Sequence, residues 1–538
     1  MELILRRALE TGSPDDLRAV SDWWSSGLYT RDVDPAVART LVDRGATLTV
    51  HAAAGLGFTD HLARMLDADP SLIDAKGCDA CTPLHFARDV ATARLLLDRG
   101  ARIEARDEDH NSTPVQWLIR DGRDVVHFLL DRGATPDIFL ASALGDRELV
   151  ARLIDANPRS VGYRIGRAPD FPPLGYNSRG GTIYQWTLAF NSYAHQIALL
   201  NGHADVFELL WARSDDTTRL LVSCVLGRRA DAEAIVARHP GIVASLPSED
   251  LELLPKYCWE TNTNYDAVKL MLDVGFPIAH IERSHGYTAL HNAAWVGSGD
   301  LVDLLIARGA PVDMVDPTYD ATPLGFAMHD CLVAKRHPEG EFGRVAKSLI
   351  EAGSPWDALD YPTGDARLDD VFMEYLPHRV DGAAILGDQP LVFRLLGDNP
   401  SADTLAHALA GAAKGGHSAL CRGLMARGAS VNGVAGRDQS TPLMYALRGS
   451  AAPASGEIVR LLIEAGADVG VKNRYGTLAL HVVVWSGASL DTVRLLLRSG
   501  SSTHIDIKNQ FDYTPAGIAE EKGRHDLVAL FRANARPD

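Results

Sequence analysis

The chain has 538 residues, 46% of them apolar and 23% charged, and a net charge of −17 at pH 7. That composition is ordinary for folded domains, and an acidic chain with no long basic run argues against nonspecific binding of nucleic acid or anionic membrane; a basic partner surface or a neutral ligand fits better. Six scattered cysteines make no disulfide framework, no stretch reaches the roughly 18 apolar residues of a membrane span, and Met1-Glu2-Leu3-Ile4-Leu5-Arg6-Arg7 lacks the apolar core of a secretory signal, so a cytoplasmic protein is expected.

Residues 1–35 predict a helix over Glu2 to Glu10 and an amphipathic segment with Trp23 and Trp24, read as an N-terminal helical cap. From residue 36 to 162 a unit of about 33 residues recurs. It opens on a Thr-Pro-Leu-like start, at Thr82-Pro83-Leu84-His85 and Thr113-Pro114-Val115, and closes at Arg99-Gly100-Ala101 and Arg132-Gly133-Ala134. Thr accepts a bond from an orphan helix N–H, and Pro in the first turn loses no hydrogen bond. Gly supplies the left-handed C-cap. In other units Pro ends the second helix, as at Asn157-Pro158 and His239-Pro240.

Residues 163–181 break the pattern. A flexible linker would be rich in Gly and Ser and poor in aromatics, but three aromatics and three arginines among Pro169, Pro172 and Pro173 predict an ordered insertion laid over a neighbouring surface. A boundary between two halves is the equal alternative. The repeat resumes over 182–513, with starts at Thr288-Ala289-Leu290-His291, Thr322-Pro323-Leu324 and Thr441-Pro442-Leu443, and stops at Arg308-Gly309-Ala310, Arg427-Gly428-Ala429 and Ala465-Gly466-Ala467. Insertions fall near 329–342 and 355–365, and a small polar loop is expected over Arg448 to Gly456. Stretches 216–257 and 366–404 keep the helix-pair periodicity without a Thr-Pro start. Residues 514–538 read as a C-terminal capping repeat, charged on its outer face.

Gly286-Tyr287-Thr288-Ala289-Leu290-His291-Asn292-Ala293-Ala294 through Gly309-Ala310 resembles the ankyrin repeat closely, and the likeness covers roughly residues 36 to 538. The resemblance implies an all-α, helix-turn-helix solenoid with β-turn fingers, here about 14 units. It also implies that His85, His291 and His481 bridge neighbouring units, and that first helices and fingers form a concave binding face.

Aromatic and amide residues gather near the predicted first helices: Gln116 and Trp117; Tyr184, Gln185 and Trp186; Trp259, Glu260, Asn262 and Asn264; Asn292 and Trp295. Flat apolar rings with directional polar groups suit a peptide or sugar, although a Trp also fills gaps between helix pairs. The leading expectation is a protein that binds a macromolecular, protein partner through Trp117, Trp186, Trp259, Asn292 and Trp295. The alternative is a hydrolase-like enzyme or a receptor for a small molecule or carbohydrate, with candidates Glu260, His291, Asp330 and His337 and with segment 163–181 as cover. His329, Asp330, Cys331, His337, Glu339 and Glu341 form the densest reactive group. Their types suit zinc, but the spacing fits no metal motif, and a helix sets His329 about 200° from Cys331. Neither metal nor cofactor is expected. Lys335 and Arg336 are expected to pair with Glu339 and Glu341. The lone Cys78-Asp79-Ala80-Cys81 reads as structural.

Overall fold

The computed structural model describes residues 2–166, 182–259, 262–283, 285–449 and 452–534. Helices dominate, and among the described residues extended pairing is confined to two isolated bridges, Arg164 with Tyr193 and Ala435 with Ser440. The chain divides into two compact units, Met1–Ser284 and His285–Asp538.

The first unit begins with helices Glu2–Thr11 and Pro14–Trp24. Ser13 caps the second, its Oγ accepting the Asp16 N–H at 3.2 Å. Trp24 is fully buried among Ala8, Leu17, Leu41 and Phe58, and its indole donates to Thr47 O at 2.9 Å. The two helices pack on one another, and Glu2–Thr11 also touches the helix Pro35–Asp43. Helix pairs follow, among them Val50–Leu56 with Thr59–Ala68 and Ile138–Leu144 with Arg147–Ala156.

The pair Ile138–Leu144 and Arg147–Ala156 packs directly on Ala194–Leu200 and Ala204–Arg213, and His203 reaches back to Ala143 O at 3.2 Å. The chain between them therefore leaves the stack and returns to it. Residues 167–181, most of the expected insertion, lie outside the described residues. On its return, the segment Tyr184–Thr187 lies on earlier repeats. Tyr184 donates its hydroxyl to Asp137 Oδ2 at 2.6 Å, and the Ile183 N–H points to Ser112 Oγ at 3.4 Å. The stretch after residue 216 forms the helix pair Asp216–Val225 and Arg229–Arg238.

In the second unit the helices Ala289–Trp295 and Gly299–Ala307 make a regular pair. Gly309 ends it at φ +83°, with no atom within 4 Å of where a Cβ would stand; the position needs a left-handed backbone, not space. Phe342–Glu351 is followed by an extra helix, Ala366–Tyr375, which packs on it. The longest central helix, Ala402–Gly415, lies between Val380–Leu386 and Pro442–Arg448. Its approach is close enough that a Cβ on Gly411 would stand 2.4 Å from Asp381 O. The helix Ala452–Glu464 starts inside the segment expected as a loop, because a Pro in the first turn is compatible with a helix start.

One hydrogen-bond device joins successive repeats. Where a His stands three residues after the cap of a first helix (Thr82, Thr288 and Leu478), the imidazole Nδ1 takes the cap and Nε2 donates to a carbonyl of the next turn. His85 binds Thr82 N at 3.0 Å and Ser112 O at 3.2 Å. His291 binds Thr288 Oγ1 at 2.8 Å and Ala321 O at 3.2 Å. His481 binds Leu478 N at 3.2 Å and Tyr513 O at 3.1 Å. Glutamine does the same work elsewhere. Gln116 accepts from Thr113 N at 2.9 Å and donates to Asp137 Oδ2 at 3.0 Å; Gln196 accepts from Tyr193 N at 3.0 Å and donates to Tyr257 OH at 3.1 Å. Each closes an orphan N–H of a helix start and couples two repeats at once. In the pair Asp216–Val225 and Arg229–Arg238 that position is Thr218, which forms no such link.

Candidate functional site

The residues singled out from sequence are distributed over both units. Trp117 is half-buried, gives its indole N–H to Asp107 Oδ2 at 3.0 Å, and packs edge-on against His85, Phe86 and His110. Burial opposes the charge of Asp107, but hydrogen bonds from His110, Trp117 and two backbone N–H groups hold its carboxyl down at about 2. Tyr184 is fully buried, Gln185 is half-buried beside Gly166, and Trp186 is 65% exposed. Trp259 and Asn262 are half-buried next to one another, the Asn262 N–H donating to Trp259 O at 3.0 Å. Glu260 lies outside the described residues.

In the second unit, His291 and Asn292 are buried in the first helix of their repeat. Burial pushes the His291 imidazole below its usual range, so it serves as a neutral bridging group. Trp295 stands edge-on to Phe326 and stacks on His329, whose ring centroid is 5.5 Å away. His329 is exposed on that side, while Asp330 and Cys331 turn inward, the divergence that helical rotation requires.

A cavity of about 410 Å³ opens where the two insertions meet. The helix Pro323–His329 runs on as a π-helical turn, Asp330–Ala334, closed by Lys335 N–H to Asp330 O at 2.6 Å. Lys335 then adopts a left-handed backbone at φ +51°, rare for a residue with a side chain. The fully buried Asp330 carboxylate holds the turn. It accepts the Arg336 N–H at 3.2 Å, the His337 N–H at 3.1 Å and the His337 ring Nδ1 at 3.2 Å. In the neutral ring this places the proton on Nδ1 and leaves Nε2 as an acceptor.

The opposite wall comes from Asp365, Ala366 and Arg367. Arg367 grips Asp365 with two N–H groups at 3.0 and 2.9 Å and donates to Cys331 Sγ at 3.1 Å. This fork draws the Asp365 carboxyl down to about 2. Burial, reinforced by Asp365, pushes the Cys331 thiol up to about 11, so the sulfur stays protonated. Phe342 forms an apolar floor beneath the Arg367 guanidinium, which sits 5.5 Å from its ring centre. Glu341 pairs with Arg344 at 3.0 Å. The sequence reading named Asp330 and His337 but not Arg367 or Asp365, although Asp365 ended a recognised insertion.

A third feature is a run of exposed rings. Phe511 is 58% exposed, Tyr513 43% and Trp485 39%. The Tyr475 and Phe511 rings are 5.8 Å apart, and Trp485 meets Tyr513 edge-on at 6.3 Å. Tyr475, Phe511 and Tyr513 stand on successive projecting turns tied by the Gln510 N–H to Tyr475 O at 3.0 Å; Trp485 ends a first helix, Ala479–Trp485.

Helix pairs stacked in series, joined by projecting turns and bridged from the cap of one to the turn of the next, define a helical repeat protein. Residues 382–473 match the family of ankyrin repeats in three copies, and residues 285–317 match a single ankyrin repeat; the C-terminal half of the chain carries ankyrin repeats. Among curated proteins, the potassium channel AKT1 of Oryza sativa subsp. indica and that of subsp. japonica are each 36% identical over 77 residues, which is 14% of this chain. The match spans 8% of either channel's length. Among the described residues no helix is long and apolar enough to cross a membrane, and no three His, Cys, Asp or Glu side chains group as a metal set.

Proposed function

We propose that this chain is a binding protein that recognises a protein partner through its projecting turns and first helices. The observation that carries the reading is the run of exposed rings Trp485, Phe511 and Tyr513 beside the half-buried Tyr475. Rings of this size left in solvent on one surface mark interaction sites, and Tyr and Trp supply large contact area with little ordering entropy. The acidic balance of the chain favours a partner with a basic or neutral contact surface over nucleic acid. Six unpaired cysteines suit the cytoplasm. The family's general role in protein association supports the same reading; fold alone does not name a partner.

The test is affinity capture from the source cell's lysate with the full chain and with the double variant Trp485→Ala, Tyr513→Ala. The reading expects a protein that the native chain retains and the variant loses, with unchanged thermal unfolding. Equal capture by both would reject this surface. A hydrolase-like activity has one geometric point in its favour, the His337 ring oriented by Asp330 inside a cavity. Activity lost in His337→Gln would support it.

A further inference from the structure

We propose that the cavity between the two insertions is a binding site for a small organic anion, a carboxylate or phosphate carried on an apolar body. It is independent of the aromatic surface above. A regular repeat needs neither insertion, yet both depart from the pattern at the same place and face one another across this space. The volume, about 410 Å³, falls in the range of small-molecule pockets.

The charge inventory selects the ligand. Both carboxylates in the wall are already engaged. Asp365 is gripped by the Arg367 fork, and Asp330 accepts two backbone N–H groups and the His337 ring. Arg367 is likewise occupied by Asp365 and Cys331 and reaches Gly340 O at 3.4 Å. Two polar groups at the cavity keep a free valence. The Lys335 ammonium meets no acidic side chain among the described residues, and His337 Nε2 meets no partner there. A lysine at the wall with no carboxylate of its own, above an apolar floor, receives an anion, and the His337 Nε2 lone pair can accept a hydrogen bond from a protonated acid group or hydroxyl of the same ligand. Phe342, Pro338 and Ala366 supply the apolar contact for its body. The π-helical turn and the left-handed backbone bring Lys335 to the wall, and such irregular backbone persists where the surroundings hold it, here through buried Asp330. Cys331, held as a thiol, adds a soft apolar surface.

Isothermal titration of the full chain with benzoate, phenyl phosphate, benzyl alcohol and inorganic phosphate tests this. The expected result is saturable binding of benzoate or phenyl phosphate, with whichever binds identifying the acid group, and much weaker binding of the neutral alcohol and of phosphate without a ring. Lys335→Asn removes the charge and tolerates the left-handed backbone; it is expected to weaken binding about fivefold, the scale of one partly exposed charge pair, and Lys335→Arg to restore it. Ala366→Trp, which fills the mouth, is expected to abolish binding. The proposal is overturned if neither anion binds up to about 10 mM, if benzyl alcohol binds as well as benzoate, or if binding survives Ala366→Trp.

Discussion

Replacing His291 separates a bridging histidine from a reactive one. The ring is fully buried and satisfies Thr288 Oγ1 at 2.8 Å on one side and Ala321 O at 3.2 Å on the other. In His291→Ala the buried carbonyl and hydroxyl lose their partner, at about 1 kcal/mol or more each. The edge-on contact with Phe326, 5.0 Å between centroids, is lost as well, worth about 1 kcal/mol. A total of about 3–4 kcal/mol follows. His291→Gln is expected to stay within about 1 kcal/mol of the native chain, because Gln116 and Gln196 already span a cap and the next repeat in this protein. Urea unfolding followed by tryptophan fluorescence reads both, since Trp295 packs on the same Phe326. Amide exchange over residues 289–321 localises the loss, which repeat arrays confine to neighbours. If alanine and glutamine destabilise equally, or alanine has no effect, the bridge does not contribute as described.

Acid should weaken the first unit. Burial takes the His85 imidazole from 6.5 down to about 4, so the folded state binds fewer protons than the unfolded chain. Its contribution of about 3 kcal/mol is present above pH 6.5 and is lost as pH falls from there through 4; His85→Gln should flatten unfolding free energy measured across that window. Gly411→Ala drives a Cβ to 2.4 Å from Asp381 O, and an expected loss of about 2 kcal/mol from forced helix separation is measurable by thermal unfolding. An unchanged midpoint would show that the two helices part freely.

The repeat architecture was legible because its signals are local. Thr caps, first-turn prolines and left-handed glycines each act within one turn, so Thr288 and Gly309 read directly as a start and a stop. The bridging role of His291 was likewise written in its spacing from Thr288. Gln116 carried the same role one residue beyond Val115, but an amide there also suits a ligand groove, and only the 3.0 Å bond to Asp137 distinguishes them. The cavity was only half legible. Asp330 and His337 are seven residues apart and were grouped on that ground. Arg367 and Asp365 come from the next insertion, and their approach depends on a π-helical turn and an extra helix that no hydrophobic period announces. Glu341 pairs with Arg344, three residues on, a neighbour within reach at the start of the same helix.

The bridges also set how the array would respond to force. A stack of helix pairs pulled from its ends transmits load through nearest neighbours alone, and a hydrogen bond from one cap to the next turn resists shear that greasy side chains allow. The pair Asp216–Val225 and Arg229–Arg238 has Thr218 where the repeat before it carries Gln196, and among the described residues exposed or half-buried side chains, such as Arg219 to Trp211 O at 3.0 Å and Arg229 to Asp273 at 2.8 Å, tie it to its neighbours. In an optical trap this pair is expected to give before the repeat that Gln196 bridges, releasing about 30 residues, or roughly 100 Å of contour.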